Sequence, residues 1–293
     1  MKLITILFLF FITLTNLWSK DTLDVALYGL DKKIATEKTV KTLLTNLFKK
    51  IDKLKDLELN TFFYKDKNEL INDFKSKKNK FDILYTMPSL YIENYELFNK
   101  DSKNLVSLNF NNSKYIQYYL ITNKKTGLNS IKDLKGKKLI LAGTDNLSKI
   151  WFDKISYEST KKSYKSYIKK DITNYSRHKK VLDIYFNKID IAIVPRSTYD
   201  VMVDLNPSIA KNIRILKKSP TIFPYVLGIV HSSAGSSVID EYNKFILDSS
   251  NDDYISNLLN LVKLKNLENC RKTDFEEIHS LYKEYLKLKN KYN

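Results

Sequence analysis

Residues 181–195 read VLDIYFNKIDIAIVP, and two kinds of periodicity meet in that stretch. Residues 176–186 carry apolar side chains at helical spacing and predict a helix, whereas 189–194 is a continuous apolar run that predicts a buried strand. Between them stands Asn187, a residue that tolerates the left-handed backbone needed where a helix ends. Helix, tight exit and buried strand, repeated, specify an α/β fold: a mostly parallel sheet with helices on its faces.

The alternation continues outward from this stretch in both directions. Towards the amino terminus it predicts a helix at 146–157, a strand at 138–142, a short helix at 130–134 and a strand at 115–122 (YIQYYLIT). On the carboxyl side follow a helix at 197–205 and a strand at 213–216. An earlier series runs strand 24–29 (DVALYG), helix 36–55, strand 57–64, helix 67–74, strand 81–86 and helix 88–98, the last begun by Pro88. Helix 36–55 places Val40, Leu43, Leu44, Leu47, Ile51 and Leu54 on one stripe. A third portion predicts a strand at 225–231, helices at 237–247 and 254–261, and an amphipathic terminal helix at 275–289 using Phe275, Ile278, Leu281, Tyr282 and Tyr285. No internal repeat or low-complexity linker interrupts the chain.

Met1 and Lys2 precede an apolar run at 3–14 (LITILFLFFITL), the pattern of an export signal. The run is shorter than the roughly 20 residues of a comfortable membrane span, and Ser19 offers a cleavage point. Leu17 is large for its place before that point, so an uncleaved amino-terminal anchor is the alternative. Cys270 is the single cysteine, which rules out an intramolecular disulfide. The fold must therefore rest on its apolar core, and the chain is long enough for two lobes. The formal charge is +17, from 50 Lys and Arg against 33 Asp and Glu, which favours anionic ligands or surfaces. Lys, Asn, Ile and Tyr abound while Gly and Pro number 6 and 5, a composition that AT-rich coding alone would produce. The basic residues are spread along the chain with no nucleic-acid-binding motif, so no nucleic-acid partner is expected.

Three stretches together resemble one family. Residues 130–138 (SIKDLKGKK) are similar to the S-x-x-D-L-x-G-K segment that opens the second lobe of type II periplasmic binding proteins; Ser130 can cap a one-turn helix ahead of the Gly136 exit. Residues 181–195 resemble the V-x-x-V-F-x-G-K-x-D-A-x-V passage of the phosphate/phosphite/phosphonate branch, with Asn187 in place of glycine. Leu205-Asn206-Pro207, then 213–216 (IRIL) and Ser219-Pro220, look like the same branch's L-N-P … L-x-V-L-x-x-S-P series. The resemblance implies two α/β lobes joined by two hinge crossings. Residues 20–113 and 225–293 would form lobe 1 and 114–224 lobe 2, with the signal at 1–19 removed. Ligand would sit in the cleft at the carboxyl ends of the strands.

The resemblance also places candidate ligand-binding residues. In lobe 1 these are Tyr28, Tyr64, Tyr85 and Thr86 at strand ends, with Ser89 and Tyr91 on the following helix; the family repeatedly has a tyrosine at the place of Tyr64. With 20 tyrosines in the chain, packing is the competing role for any one of them. In lobe 2 the family's Ser-Thr-Ser-Gly anion grip aligns with 146–149 (NLSK), leaving Asn146 and Ser148 as donors and Asp145 as an adjoining negative charge. Asn146 and Asp145 as plain helix caps is the alternative. The family's histidine falls on Arg177, next to His178, and Arg196 is a further cation suited to an anion. Asp190 matches an aspartate with a structural role. Because family hydroxyls are missing, a singly charged or larger ligand is expected in preference to free phosphate.

The three histidines, at 178, 231 and 279, lack metal-ligand spacing, and no nucleophile elbow, H-E-x-x-H or phosphate loop occurs. We expect no cofactor, no metal and no catalysis. The expected function is capture of a small ligand, anionic and phosphonate-like or a carboxylate, by a periplasmic monomer that delivers it to an ABC permease. A sensing role beside a membrane histidine kinase is the alternative, and an enzyme on the same fold a third reading.

Overall fold

The computed structural model describes residues 22–29, 36–49, 58–76, 81–109, 114–141, 146–172, 177–248, 252–253, 256–257 and 265–292. Residues 1–19, most of the helix expected at 254–261, and Asp145 lie outside the described residues.

The chain begins β1 (Thr22–Tyr28), α1 (Glu37–Phe48), β2 (Glu58–Tyr64), α2 (Lys67–Lys75), β3 (Ile83–Thr86), α3 (Pro88–Glu93), α4 (Tyr95–Asp101) and β4 (Ser102–Asn109). A short β5 (Tyr115–Ile116) leads into β6 (Tyr118–Asn123), β7 (Lys138–Ile140), α5 (Leu147–Thr160), β8 (Lys170–Ile172), α6 (Arg177–Tyr185), β9 (Ile191–Pro195), α7 (Arg196–Leu205), α8 (Ser208–Asn212) and β10 (Ile213–Lys218). The return passes through β11 (Phe223–Pro224) to β12 (Val226–His231), α9 (Ser236–Asp248), β13 (Asn266–Cys270) and α10 (Glu276–Tyr292).

These strands form two sheets joined by a ribbon. One sheet has the order β13-β4-β12-β3-β1-β2, the other β10-β6-β9-β7-β8, and β5 pairs with β11. The first sheet thus draws strands from both ends of the chain and the second from its middle. The β1/β2/β3 and β7/β8/β9 groups are parallel, while β12 runs antiparallel to β3 and β4, and β6 antiparallel to β9 and β10. The expectation of mostly parallel sheets is therefore corrected to mixed ones, because β12 and β13 enter the first sheet, and β6 the second, against their neighbours.

The stretch at 181–195 folds as its pattern dictates. Asn187 takes φ 56°, and Ile191 to Val194 are fully buried. Strands β4, β8 and β13 were not visible in the pattern: β4 (SKNLVSLN) and β13 (NLENC) are polar enough to read as loop, yet they pair with each other at one side of the first sheet. The single helix expected at 88–98 is two, since Asn94 leaves helical geometry at φ −124°, ψ 36°.

Helix α10 spans both layers. Near its start Phe275 and His279 pack on Tyr91 and Tyr95, the His279 and Tyr95 rings stacked 3.8 Å apart. Further along, Tyr285 Oη donates to Asp153 Oδ2 on α5 (3.2 Å), Glu284 pairs with Lys154 (3.0 Å), and Tyr292 stacks on Tyr157. Ile278 and Leu281 join an apolar cluster that contains Leu84 and Leu90 beside the first sheet and Leu139 and Trp151 beside the second.

His231, at the end of β12, is buried with its ring edge-on to Phe74. Its Nδ1 accepts the Ser233 amide (3.1 Å), so Nε2 carries the hydrogen and donates to the Phe74 carbonyl (3.2 Å). Burial favours the neutral ring and lowers its pKa from the usual 6.5. The unfolded chain therefore takes up this proton first, and the stability contributed by neutral His231 is lost as pH falls from 6.5 through the lowered folded value. Thermal melts across that window should show the loss, with a shallower slope in His231→Gln; equal slopes would contradict the assignment.

Candidate functional site

Parallel strands end together, and in the first sheet that common edge gathers side chains from three elements. Register pairs Tyr28 with Tyr64 and Leu27 with Tyr85, so Tyr28, Tyr64, Tyr85 and Thr86 close adjacent strands at the edge where open α/β sheets take ligands. Gly29, next after Tyr28, has φ +77°, and a Cβ there would stand 2.8 Å from Met87 Cγ. Glycine is thus required for β1 to turn away beneath the residue that precedes α3.

Neighbouring groups assign each tyrosine differently. Tyr28 is half-buried against the core. Tyr64 packs edge-on to Phe81 and donates from Oη to Asp73 Oδ2 (2.7 Å); burial, then the Asp73 carboxylate, raises its pKa well above the phenol range. Tyr85 lies on the α9 side of the sheet with its hydroxyl 2.6 Å from that of Tyr242, and burial pushes its pKa up to about 12. Tyr91 is fully buried between Phe98 and Phe275 and donates to Asn99 Oδ1. Burial thus keeps Tyr64, Tyr85 and Tyr91 protonated, and none of the three can act as a base.

Thr86 differs from these. It is 1 % exposed, and its Oγ1 makes no hydrogen bond. A hydroxyl shut away from water without a partner costs about 1–3 kcal/mol, and this one stands at the carboxyl end of β3. Ser89, buried in the first turn of α3 after Pro88, lies three residues on.

In the second sheet the corresponding edge is the end of β7. Five residues beyond Leu141, α5 begins behind an exposed Asn146, whose Oδ1 accepts from Lys149 Nζ (3.4 Å). Ser148 is fully buried in its first turn. Arg177 opens α6, its side chain lying outside the described residues, and His178 follows exposed. Arg196 opens α7 at the end of β9; its guanidinium is exposed and donates from Nε to Asp200 Oδ2 (3.0 Å), while its amide binds the Gln117 carbonyl (2.7 Å). Asp190 Oδ2 accepts the Lys138 amide (2.7 Å) and the Asp190 carbonyl accepts from Thr122 Oγ1 (2.7 Å), a structural tie among β6, β7 and β9.

Two cations at these edges escaped the sequence reading. Lys67, at the start of α2, pairs with Glu93 (2.9 Å) beside Tyr28. Lys180 is 1 % exposed, and its Nζ donates to the Leu141 carbonyl (2.6 Å). A signal for Lys180 existed: it precedes Ile184 by four residues, placing a lysine on the buried stripe of α6. Among the described residues no group of three His, Cys, Asp or Glu side chains is placed to hold a metal, and no helix is long and apolar enough to cross a membrane.

Two mixed sheets joined by a ribbon, each presenting strand ends with polar side chains, define a two-lobed solute-binding protein of the type II periplasmic class. Residues 34–275 match the family described as ABC transporter, phosphonate, periplasmic substrate-binding protein, and the chain belongs to that family. The family and the fold are those of transporter substrate-binding proteins, not enzymes. Among solved structures, the binding protein component of an ABC phosphonate transporter from Pseudomonas aeruginosa superposes with TM-score 0.62 at 12 % identity, over 94 % of this chain and 90 % of that one. A Prochlorococcus marinus protein in complex with methylphosphonate gives 0.61 at 13 % identity, over 92 % and 100 %. A Xanthomonas citri protein bound to ATP gives 0.65 at 8 % identity, over 92 % and 98 %. At such identities the likeness shows the shared fold. No curated protein sequence matches the chain.

Thr86→Val tests whether the unpartnered hydroxyl belongs to the site. Valine keeps the shape and removes the buried polar atom, so the melting temperature should hold or rise, while ligand affinity falls by about tenfold, the loss of one hydrogen bond. Unchanged affinity in calorimetric titration would remove Thr86 from the site.

Proposed function

We propose that this chain captures a small organic oxyanion, a phosphonate or carboxylate, between two lobes that close about the β5–β11 ribbon, and offers the closed form to an ABC permease. Lobe 1 comprises 20–113 and 225–293, and lobe 2 comprises 114–224. The observation that carries the reading is the Thr86 hydroxyl, dehydrated and without a partner at the ligand-facing edge, since a bound oxyanion supplies the acceptor it lacks. The strand ends that carry Tyr28 and Tyr64 adjoin it in register. Opposite them, the amides at the start of α5 point towards an anion by the helix dipole.

The methylphosphonate bound to the Prochlorococcus marinus relative supports the class of ligand, as does the family. Free phosphate suits the site less well, because Asn146 and Leu147 stand where the family has hydroxyl-bearing residues, and a compact dianion needs every donor. Export to the periplasm accords with the apolar segment at 3–14, and a monomer is the state in which both lobes move freely.

Calorimetric titration with methylphosphonate, acetate and inorganic phosphate checks the ligand class. One of the two organic anions should bind more tightly than phosphate, and Ser148→Ala should weaken it. Tight phosphate binding, or binding of none of the three, would contradict the reading.

A further inference from the structure

Lys180 is the one lysine or arginine among the described residues whose side chain is fully buried. A lysine ammonium keeps its charge in a protein interior only where hydrogen bonds or anions replace its hydration. Its Nζ lies 2.6 Å from the Leu141 carbonyl, and Leu141 is the first residue beyond β7, the central parallel strand of its group. The side chain therefore runs from the second turn of α6 along the buried stripe shared with Val181 and Ile184 and ends at the carboxyl edge of the second sheet. Arg177 begins the same helix. Ser148 is buried in the first turn of α5, seven residues past Leu141.

An ammonium in this place does two things. It fixes the end of β7 by binding the strand's exit carbonyl, and it sets a positive charge beneath the edge where the anion is proposed to lie. Low surrounding polarity strengthens the reach of a charge held there relative to that of the exposed Arg196, which solvent screens.

We infer that Lys180 is the charge-selecting residue of the second lobe, a buried ammonium that sets how strongly the site prefers more highly charged oxyanions. The inference rests on the oxyanion reading above.

The test is calorimetric titration of the full-length exported protein and its Lys180→Met and Lys180→Arg variants with methylphosphonate and methanesulfonate at mildly alkaline pH, where the two carry different charge. Lys180→Met should weaken methylphosphonate by about tenfold to a hundredfold, the range for losing a charged partner, and methanesulfonate by clearly less; Lys180→Arg should keep the preference. Equal losses for both ligands would make Lys180 structural only and overturn the inference, as would unchanged affinities in Lys180→Met. If the wild type binds neither anion, the oxyanion reading fails and takes this inference with it, a result distinct from failure of the variants alone. Should Lys180→Met not fold, the Lys180 side-chain resonance of the wild type decides: it should shift on adding methylphosphonate, and a resonance unmoved at saturation would overturn the assignment.

Discussion

Two strands of two residues each, Tyr115–Ile116 and Phe223–Pro224, form the pair of chain passages by which the backbone crosses from one sheet to the other and back. Because they pair, the two passages form one ribbon and not two independent tethers. Ser219 secures it: its Oγ accepts the Tyr118 amide, its own amide donates to the Tyr118 carbonyl (both 2.8 Å), and its carbonyl accepts Gln117 Nε2 (2.9 Å). Lys114 adds an ion pair to Asp274 (2.7 Å) just ahead of α10. Every candidate ligand contact depends on this ribbon, since it orients the carboxyl edges of two separately built parallel strand groups. On the proposed reading this ribbon is the hinge about which the lobes open and close.

Helix α10 modifies that picture. Sequence position groups it with the first sheet, through β13, yet its second half bonds Asp153, Lys154 and Tyr157 of α5. It thus lies alongside the ribbon as a second link between the layers, made of side-chain contacts instead of chain.

Much of the architecture was legible because strong local patterns agreed with the global fold. Asn187 announced the end of α6, and the apolar run at 191–194 announced a buried strand. Strands β4 and β13 were not legible, as their polar residues acquire strand geometry only from each other and from β12. At the site, the strand ends of Tyr28, Tyr64, Tyr85 and Thr86 were readable, but the direction of each side chain was not. Tyr85 turns to Tyr242 and Tyr91 enters the core, outcomes set by tertiary neighbours more than a hundred positions distant in the chain. Lys180 was overlooked for the opposite reason: a lysine in a chain this rich in lysine reads as surface until burial is known.

Whether one ligand is gripped by both lobes across the ribbon is decided by small-angle X-ray scattering of the protein without ligand and at saturating methylphosphonate, or whichever organic anion binds. Closure predicts a smaller radius of gyration in the bound state, reverting when the ligand is dialysed away. An unchanged radius with the site demonstrably occupied would contradict it, and would place the ligand on one lobe alone.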